Sequence, residues 1–455
     1  MGDLSLIVLA AGHGKRMKSE NSKVVHKVCG KEMVNHVLDA AMEAGCTNAT
    51  VVVGHKREQV IRAVGERAAI AVQEQQLGTG HAVMQAADSI LRSEHVLILS
   101  GDTPLISAET LKSAIGRHIE DNNGATVITA RVSDPTGYGR IVRREDGSVE
   151  KIVEHKDASF EEKQIDEINS GMYCFKSALL LSALDKITPD NAQGEYYLTD
   201  VFEKLNQEGV RIGAFEAKNN EEILGVNDRV QLSEAEKLMR TRINRGHMLS
   251  GVTLIDPDST YIGPDVRLGM DTVIYPGSIL EGSTTVGDNV IIGQNCRLVN
   301  AIIANGVDIW SSTIIDSSVD EGTHVGPYAY IRPDSRVGKN CKVGDFVELK
   351  KATIGDGTKL SHLTYVGDAD VGSNCNFGCG TVVVNYDGKN KYRTVIGNNA
   401  FIGCNSNLVS PVTVNDGAYV AAGSTITDDV PSETLAIARA RQVIKENWRD
   451  RRDQE

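Results

Sequence analysis

The sequence lacks the features that mark membrane, secreted and nucleic-acid-binding proteins. No run approaches the roughly 18 apolar residues needed to span a bilayer, and no basic cluster precedes the short apolar stretch near the N-terminus, so no secretory signal is predicted. The eight cysteines include no Cys-x-x-Cys pair, which favours reduced structural thiols over a disulfide framework. The formal net charge of −13 repels nucleic-acid backbones. We therefore expect a soluble cytoplasmic protein that binds neither membranes nor nucleic acid.

Aromatic residues are also scarce, at 5%, whereas glycine occurs 44 times. This combination indicates a repetitive, turn-rich portion of the chain. The length of 455 residues suggests two to three domains at about 150 residues each.

The first part of the chain, residues 1–227, alternates short apolar β-rich runs with helix-like stretches. The runs are Ser5–Leu9, Ala49–Val53, His95–Leu99, Ala125–Ala130 and Gly171–Phe175, and a helical pattern covers Met33–Ala44. Such alternation predicts a mostly parallel, Rossmann-like α/β sheet covered on both faces, with ligands at the carboxyl ends of the strands. From Asp228 to Gly246, charged residues predominate without Gly or Pro, which predicts an exposed helix of about 18 residues. We take residues 228–250 as a linker helix.

Residues 251–435 repeat with a period of six. Apolar residues recur at Ile262, Leu268, Ile274, Leu280, Val286, Ile292 and Leu298, and the series continues with small slips to Ile426. Neither a helix nor an ordinary strand has this period, so it predicts a hexapeptide-type parallel β-helix. We interpret the glycine that often follows the apolar residue as permitting the turn to the next face. Residues 436–455 form a basic tail, either solvated or an arm that reaches a neighbouring subunit or an anion.

Three motifs in the first part carry polar chemistry. Leu9–Met17 (LAAGHGKRM) follows the first strand and opens a predicted helix, where backbone N–H groups, Arg16 and Lys23 suit phosphates. It is neither a dinucleotide fingerprint nor a Walker A sequence, and the alternative is an ordinary tight turn. Gln73, with Gly78 and Thr79, suits a pyrimidine edge. Asp102 follows a strand and suits a divalent metal that bridges phosphates, the alternative being a helix N-cap or a turn aspartate.

The repeat region carries its own cluster. Since coils stack about 4.8 Å apart, Arg332 and Lys350, eighteen residues apart, should lie side by side, which is costly unless an anion such as a phosphate joins them. His362 falls on a different face and would approach the cations of a neighbouring chain; a lone histidine is otherwise often structural. The polar loop 385–393 (NYDGKNKYR) interrupts the repeat and is a further functional candidate.

These motifs resemble those of sugar-1-phosphate nucleotidyltransferases. Together with the hexapeptide half, the chain is similar to the family of bifunctional bacterial N-acetylglucosamine-1-phosphate uridylyltransferase/glucosamine-1-phosphate N-acetyltransferases. The likeness covers nearly the whole chain and includes Thr136–Arg140, Ile152–Lys156, Gln193–Asp200 and Gly225–Arg229. It implies a left-handed coil, a homotrimer, Mg²⁺ and four small-molecule substrates: UTP, acetyl-CoA, glucosamine-1-phosphate and N-acetylglucosamine-1-phosphate.

For the first domain, the resemblance implies these roles. The nucleotide contacts Leu9, Ala10, Ala11, Gly12 and Lys23; uracil is read by Gln73, Gly78 and Thr79; Mg²⁺ is held by Asp102 and Asn227; the sugar is bound by Gly139, Glu154 and Asn169; and Arg16 lies against the triphosphate. The family often has threonine at Lys15 and proline at Ser22. We expect Lys15 to add charge near the phosphates and Ser22 to loosen the loop that holds Lys23.

For the β-helix, the resemblance implies that Arg332 and Lys350 grip the sugar phosphate and that His362 is the general base. Tyr365 and Asn376 lie around the sugar, Asn385 and Tyr386 are expected at both the sugar and acetyl-CoA, and the other acetyl-CoA positions are Cys379, Cys404, Ala422 and Arg439. The family commonly has alanine and serine where Cys379 and Cys404 stand. A nucleophilic role for Cys404 is an alternative to lining the channel, and Cys296, Cys341 and Cys375 are expected to pack in the coil.

Two other functions fit parts of the sequence. One is a single-activity sugar nucleotidyltransferase whose β-helix only regulates or oligomerises, which would make Arg332, Lys350 and His362 incidental. The other is a non-enzymatic assembly subunit with an inactive nucleotidyltransferase domain. The presence of Lys23, Asp102 and Asn227 argues against this last hypothesis.

Overall fold

A computed structural model of the chain describes residues 4–449. The contacts divide the chain into two compact units, Met1–Met239 and Arg240–Glu455. In the described residues, no helix is both long and apolar enough to cross a bilayer.

The first unit is a sheet with helices on both sides. Its strands are β1 Leu4–Ala10, β2 Lys27–Val28, β3 Lys31–Glu32, β4 Asn48–Val53, β5 Ala69–Val72, β6 His95–Ser100, β7 Ala125–Arg131, β8 Arg140–Arg143, β9 Val149–Val153, β10 Glu167–Lys176 and β11 Ile212–Glu216. Its helices are α1 Met33–Glu43, α2 Arg57–Val64, α3 Thr79–Met84, α4 Ala87–Ile90, α5 Ala108–Glu120, α6 Ser177–Leu184 and α7 Asp200–Gln207. The main sheet has the order β11-β7-β10-β6-β1-β4-β5, with β8 and β9 attached through β10.

Side-chain alternation along β1 explains why both faces are covered. Leu6 and Val8 join a buried cluster with α1 and α5, whereas Ile7 points into a second cluster with α3, α6 and α7. Successive residues of a strand face opposite sides of the sheet. The predicted two-sided α/β sheet is therefore confirmed.

The sheet is mixed rather than uniformly parallel. Strands β4 and β6 pair with β1 in parallel, but β10 runs antiparallel to both β6 and β7. The connection from β7 to β10 carries the β8–β9 hairpin instead of a crossover helix, so the chain returns in the opposite direction. The run at Gly171–Phe175 was thus correctly predicted as a strand, with its direction not foreseen.

A long helix, α8 Arg229–Leu249, contains the division between the two units. The predicted helix is present but continues through Gly246 and is 21 residues long. It is not simply exposed, because Ala235 and Asn244 are buried. The Asn244 side chain donates hydrogen bonds to the carbonyls of Pro257 and Thr260, which fixes the end of the helix against the first coil.

The second unit consists of very short strands. They are β12 Thr253–Leu254, β13 Tyr261–Ile262, β14 Arg267–Leu268, β15 Val273–Ile274, β16 Ile279–Glu281, β17 Thr285–Val286, β18 Ile291–Ile292, β19 Arg297–Val299, β20 Ile302–Ile303, β21 Asp308–Ile309, β22 Thr313–Ile315, β23 Ser318–Val319, β24 His324–Val325, β25 Tyr330–Ile331, β26 Arg336–Val337, β27 Lys342–Lys350, β28 Thr353–Ile354, β29 Lys359–Gly367, β30 Ala369–Val371, β31 Asn376–Phe377, β32 Val382–Val384, β33 Thr394–Ile396, β34 Phe401–Ile402, β35 Asn407–Val409, β36 Thr413–Val414, β37 Tyr419–Val420, β38 Thr425–Ile426 and β39 Leu435–Ala436.

These strands stack in parallel on three faces of a coil. Each strand pairs with the strand three places later in the chain, as β12–β15 do on the first face, β13–β16 on the second and β14–β17 on the third. The long strands β27 and β29 cross from the first face to the second. The apolar residues of the six-residue repeat form one continuous core, with Ile274, Leu280 and Ile292 fully buried. The predicted parallel β-helix is confirmed.

Two of the glycines after the apolar residues, Gly269 and Gly355, serve a different purpose from the predicted one, whereas Gly326 has the predicted positive φ, at +104°. A Cβ atom on Gly269 or Gly355 would lie 2.5 Å from backbone atoms of the next coil, and neither residue has a positive φ. Close approach of the coils, rather than a left-handed backbone, therefore requires glycine there. The turns use other residues with positive φ, such as Asn289 at +56°.

Two candidate active sites

The first candidate site is a cleft of about 540 Å³ at the carboxyl ends of β1, β5 and β6. It brings together predicted residues that are far apart in sequence: Leu9, Ala10, Ala11, Gly12, Lys23, Gln73, Gly78, Thr79 and Asp102. Parallel strands deliver these side chains to one edge of the sheet, where α/β proteins bind ligands. Asp102 is not a helix cap, because Ser107 caps α5.

One end of this cleft concentrates charge. The Lys23 ammonium contacts the Asp102 carboxylate and lies 3.1 Å from Oδ1 of Asn227, which also accepts a hydrogen bond from Arg16 at 2.9 Å. Asp102 and Asn227 therefore direct oxygens at one cation, the ammonium. Hard divalent cations prefer such oxygens. Within residues 4–449, no group of three or more His, Cys, Asp or Glu side chains suited to a metal is found.

The Gln193–Asp200 segment contributes Glu195 to the lining of the cleft and packs against Gly78 and Thr79. Gly78 has a φ of +112°, and a Cβ atom there would lie 2.5 Å from the Tyr196 carbonyl oxygen, so only glycine fits. The Gln73 amide donates to the Gly78 carbonyl at 3.0 Å. The Thr79 hydroxyl accepts a hydrogen bond from the Leu198 N–H at 3.0 Å. These contacts fix the predicted base-reading residues in place.

Gly139, Glu154 and Asn169 cluster around the buried Tyr173. The Asn169 amide donates to the Tyr173 hydroxyl at 2.8 Å, and its backbone N–H donates to the Gly139 carbonyl at 2.9 Å. Burial raises the pKa of the Glu154 carboxyl, and burial followed by the charge of Glu154 raises the pKa of Tyr173.

Tyr138 connects this cluster with the charged end of the cleft. Its pKa is raised by burial and then by the charge of Asp102, and the charge of Arg16 works in the opposite direction. The charges of Asp102 and Arg16 therefore both act on the pKa of the Tyr138 hydroxyl. The next residue in the chain, Gly139, belongs to the cluster around Tyr173. Tyr138 and Glu195, which also lines the cleft, were not predicted as site residues, although both lie within motifs that the sequence analysis identified.

Two sequence expectations about the phosphate loop are wrong. The segment after Gly12 opens only a single 3₁₀ turn, Lys15–Met17, so a helix dipole contributes little there. Ser22 does not loosen the Lys23 loop either, because its backbone N–H donates to Oε1 of Gln59 at 2.6 Å. A proline has no N–H group and would lack this bond.

The second candidate site lies where β27 and β29 bend around a corner of the coil. The corner residues Phe346 and Leu363 have φ values of +57° and +38°. Ile331 pairs with Leu349, and the Arg332 N–H donates to the Leu349 carbonyl, so Arg332 and Lys350 lie on neighbouring coils as predicted.

The two cations are not left facing each other. Arg332 pairs with Glu348 at 2.8 Å, and Lys350 pairs with Asp368 at 3.0 Å. The expectation that only a guest anion makes their proximity tolerable is therefore wrong, because each charge has a carboxylate beside it. Although burial opposes its charge, the hydrogen bond to Asp368 holds the pKa of Lys350 above its usual value.

Tyr365 and Asn385 converge on the same place. A Cβ atom on Gly367 would lie 2.7 Å from Cζ of Tyr365 and 2.8 Å from Nδ2 of Asn385, so both side chains pack over that glycine. The Asn385 amide also donates to Asp368. The loop that carries Asn385 is closed by a hydrogen bond from the Tyr392 N–H to the Asn385 carbonyl at 3.0 Å.

The loop also brings Lys391, which sequence reasoning missed. The pKa of Lys391 is lowered by its proximity to Lys350. A third cation therefore stands beside Lys350, within a loop that the sequence analysis already treated as functional. Tyr386 pairs with Lys391 across this loop.

His362 lies on the other side of the corner. Its ring nitrogen Nδ1 is 2.6 Å from Oδ1 of Asp345, its partner one coil away, and the imidazole is 55% exposed. His362 largely accounts for the lowered pKa of Asp345. Asp345 was also missed, although it stands 17 residues before His362, close to one turn of the coil. Within one chain, His362 occupies the first face and Lys350 the second, as predicted.

The predicted acetyl-CoA residues follow the same corner down the coil. Hydrogen bonds join Gly380 to Leu363, Asn405 to Cys379 and Gly423 to Cys404, so one column runs from Leu363 through Cys379 and Cys404 to Ala422. Arg439 extends it, because a Cβ atom on Gly423 would be 3.8 Å from Cδ of Arg439. Asn376 lies on the first face, where it pairs with Lys359. Asn385 contacts Asp368, the partner of Lys350, and is not part of this column within the same chain.

The cysteines divide as the sequence predicted. Cys296, Cys341 and Cys375 are buried in the coil, whereas Cys379 and Cys404 are exposed. Beyond Arg439, the described part of the basic tail, including Arg441, Lys445 and Trp448, is exposed, and residues 450–455 lie outside the described part of the chain.

Comparison with known proteins defines the class of protein that these two sites belong to. Residues 5–228 match the nucleotidyl transferase family, residues 259–300 match the bacterial transferase hexapeptide repeat, and residues 317–427 match the GMPPB C-terminal domain. The chain is thus a nucleotidyltransferase joined to a left-handed β-helix of the hexapeptide type.

Full-length relatives carry one name. Bifunctional protein GlmU of Acetivibrio thermocellus is 56% identical over 98% of this chain and 97% of the relative. Those of Clostridioides difficile and Clostridium botulinum are each 55% identical over 98% of both chains. The chain belongs to the GlmU family of bifunctional proteins. It is an enzyme that acetylates glucosamine-1-phosphate with acetyl-CoA and then converts the product and UTP into UDP-N-acetylglucosamine and pyrophosphate.

Proposed function

We propose that the cleft around Asp102 performs the uridylyl transfer and that the corner around His362 performs the acetyl transfer. The division follows from the chemistry of each place. The cleft contains the cations Arg16 and Lys23, the side-chain oxygens of Asp102 and Asn227, and the residues predicted to read the base. The β-helix contains an imidazole oriented by a carboxylate on its first face and, on its second face, a group of cations that suits a phosphate. The observation that carries the proposal is the Asp345–His362 pair at 2.6 Å, next to the column of predicted acetyl-CoA residues.

In the cleft, the phosphate of N-acetylglucosamine-1-phosphate attacks the α-phosphorus of UTP and pyrophosphate leaves. Arg16 and Lys23 neutralise the phosphate charge, and Gln73, Gly78 and Thr79 hold the base. Gly139, Glu154 and Asn169 hold the sugar so that its phosphate faces the nucleotide. Mg²⁺, held by Asp102 and Asn227, would supply further neutralisation of charge. Catalysis of this kind rests on positioning and electrostatics and needs no covalent protein intermediate.

At the corner, Nδ1 of His362 is held by Asp345, which leaves Nε2 to take the proton as the sugar amine attacks the thioester. Arg332, Lys350 and Lys391 hold the sugar phosphate, with Tyr365 and Asn385 beside the ring. Acetyl-CoA lies along the column through Cys379, Cys404 and Ala422, and Arg439 meets an anionic part of the CoA.

We propose a homotrimer, in which His362 of one chain meets the cations of the next. The same corner supports this assembly because it forms an exposed apolar ridge. The rings of Tyr328 and Phe346 stack at 5.5 Å, and they and Leu363 are exposed in the single chain. A ridge of this kind is typical of a protein interface. Phe346→Asp should yield monomers, measured by light scattering, and should lose acetyl transfer while uridylyl transfer persists. A monomer that still transfers the acetyl group would contradict the proposal.

The domain limits and location remain part of the proposal. We assign uridylyl transfer to residues 1–227, the linker to 228–250, acetyl transfer to 251–435 and the tail to 436–455. Free thiols such as those of Cys379 and Cys404 suit the reducing cytoplasm.

An omission assay tests the function directly. The full chain is incubated with glucosamine-1-phosphate, acetyl-CoA, UTP and Mg²⁺, and each component is left out in turn. We expect CoA thiol release to require only the first two, whereas pyrophosphate release requires all four. If pyrophosphate appears without acetyl-CoA, the proposed order of reactions is wrong; if CoA is never released, the β-helix is not an acetyltransferase.

A further inference from the structure

Two exposed cysteines stand on consecutive coils next to the acetyl-transfer corner. Cys379 and Cys404 are the exposed members of the eight cysteines, and the other six are buried. They are 25 residues apart in sequence because the loop 385–393 lengthens the intervening coil. The coil nevertheless stacks one cysteine on the other.

The strand register fixes how close the two residues are. Asn376 pairs in parallel with Phe401, and Phe377 pairs with Ile402. The hydrogen bond from the Asn405 N–H to the Cys379 carbonyl, at 2.8 Å, continues that register, so Cys379 and Cys404 are direct neighbours across the coils. Neighbouring strands lie about 4.8 Å apart, which falls within the Cα separation of roughly 4.4–6.8 Å that a disulfide accommodates.

The sulfur of Cys404 lies close to the coil that carries Cys379. A Cβ atom on Gly378, the residue directly before Cys379, would lie 2.8 Å from Sγ of Cys404. The thiol therefore covers the coil that carries Cys379, and both residues are open to solvent. Solvent access lets a thiol exchange with a small disulfide, and a neighbouring thiol lets the resulting mixed disulfide close into an intramolecular bond.

We propose that Cys379 and Cys404 form an oxidisable dithiol that switches off acetyl transfer. The oxidant class is a low-molecular-weight disulfide. The Cys379 thiolate attacks one sulfur of that disulfide and releases one thiol, and the Cys404 thiolate then attacks the mixed disulfide and releases the second. One intramolecular S–S bond forms, the small disulfide is reduced to two thiols, and the two cysteine protons end on those thiols.

The consequence follows from where the bond lies. The column from Leu363 to Ala422 passes through both cysteines. It begins at Leu363, the residue that follows His362 in β29. A bridge across these two coils covers the path on which the acyl donor must lie. The uridylyl cleft belongs to the other compact unit, so its activity should not change. This inference rests on the proposed acetyl transfer.

The test uses the full chain and oxidised glutathione as the probe. Peptide mass spectrometry should find a Cys379–Cys404 disulfide, CoA release should fall at least tenfold, uridylyl transfer should be retained, and dithiothreitol should restore CoA release. Cys379→Ala and Cys404→Ser are matched controls. Each lacks one of the two thiols, so neither can form the intramolecular bond, and each should instead carry one glutathione as a mixed disulfide at the remaining cysteine. Mass spectrometry distinguishes this adduct from the crosslink, which only the unaltered chain should give.

Three results would overturn the proposal: absence of the Cys379–Cys404 crosslink, a crosslink without loss of CoA release, or equal loss of both activities. Failure of the reduced protein to release CoA would instead refute the proposed acetyl transfer. The crosslink itself would still be scored by mass spectrometry, so the two failures are distinguishable.

Discussion

At the scale of single residues, the imidazole of His362 is oriented by the Asp345 carboxylate. With Nδ1 at 2.6 Å from the carboxylate, the ring cannot turn freely, and Nε2 is the nitrogen that does not take part in this contact. A second pair of the same kind, His324 and Asp308 at 3.0 Å, lies on the same face in coils that are nearer the N-terminus. It offers a matched comparison outside the proposed site.

Asp345→Ala should lower the kcat of acetyl transfer about tenfold or more, because a general base contributes roughly 10²–10⁴-fold and depends on its orientation. The KM for glucosamine-1-phosphate should change little, since Arg332 and Lys350 remain. Asp345→Asn, which keeps an acceptor oxygen, should recover part of the rate. Steady-state CoA release measures both parameters. Asp308→Ala is the control, and an equal loss in that variant would show that Asp345 is merely structural.

His118 makes the first unit sensitive to acid. It is fully buried, with its ring nitrogens near His95 at 3.1 Å and Thr126 at 2.9 Å. Burial, and then the charges of His95 and Lys176, lower its pKa from 6.5 to about 4. The unfolded chain therefore binds a proton between these two pH values that the folded chain excludes, so this contribution to stability is present above pH 6.5 and is lost as the pH falls toward 4.

The free energy of unfolding should drop by about 2 kcal/mol from this group between pH 7 and pH 5. Urea unfolding of the full chain, followed by circular dichroism at 222 nm, reports the helices α1–α7 of this unit. His118→Gln should flatten the dependence on pH, whatever its effect on stability at pH 7. A variant as sensitive to acid as the unaltered chain would show that other groups are responsible.

At the scale of elements, α2 holds the segment before Lys23. Gln59 accepts from the Ser22 N–H at 2.6 Å and donates to the Glu20 carbonyl at 3.2 Å. Ser22 has a φ of −58°, which is close to the angle that a proline ring imposes. The same backbone shape can therefore be fixed either by this hydrogen bond or by a ring.

Gln59→Ala should raise the KM for UTP or lower the kcat of uridylyl transfer several-fold, because Lys23 loses its support. The effect should nearly vanish when Ser22→Pro is also present. Pyrophosphate release by the two single variants and the double variant measures this coupling. Equal losses from Gln59→Ala in the serine and proline backgrounds would exclude a role through Ser22.

The elements also show how far sequence reasoning reaches. The coils were predictable because every rung must bury an apolar residue, as Ile274 and Leu280 do. The stacking of Arg332 on Lys350 followed from the same period. The period could also have predicted Asp345 as the neighbour of His362, because the two residues are about one coil apart in sequence. The Ser22–Gln59 bond was not predictable, since it joins residues 37 positions apart through the packing of α2. Likewise, the carboxylates beside Arg332 and Lys350 depend on side-chain direction, which a period does not specify.

At the scale of the whole molecule, the residues proposed for the two reactions lie in different compact units. Leu9, Lys23, Gln73 and Asp102 line a cleft of the first, and Asp345 and His362 stand on the coil of the second. The central claim is therefore that one chain contains two active sites that fail independently.

Mixing two inactive variants tests this claim most directly. Asp102→Ala should still acetylate but release no pyrophosphate, and His362→Ala should use supplied N-acetylglucosamine-1-phosphate but not glucosamine-1-phosphate. From glucosamine-1-phosphate, acetyl-CoA and UTP, neither variant alone should form UDP-N-acetylglucosamine, whereas an equal mixture should form it readily. A mixture that stays inactive, with both variants folded, would contradict two independent sites.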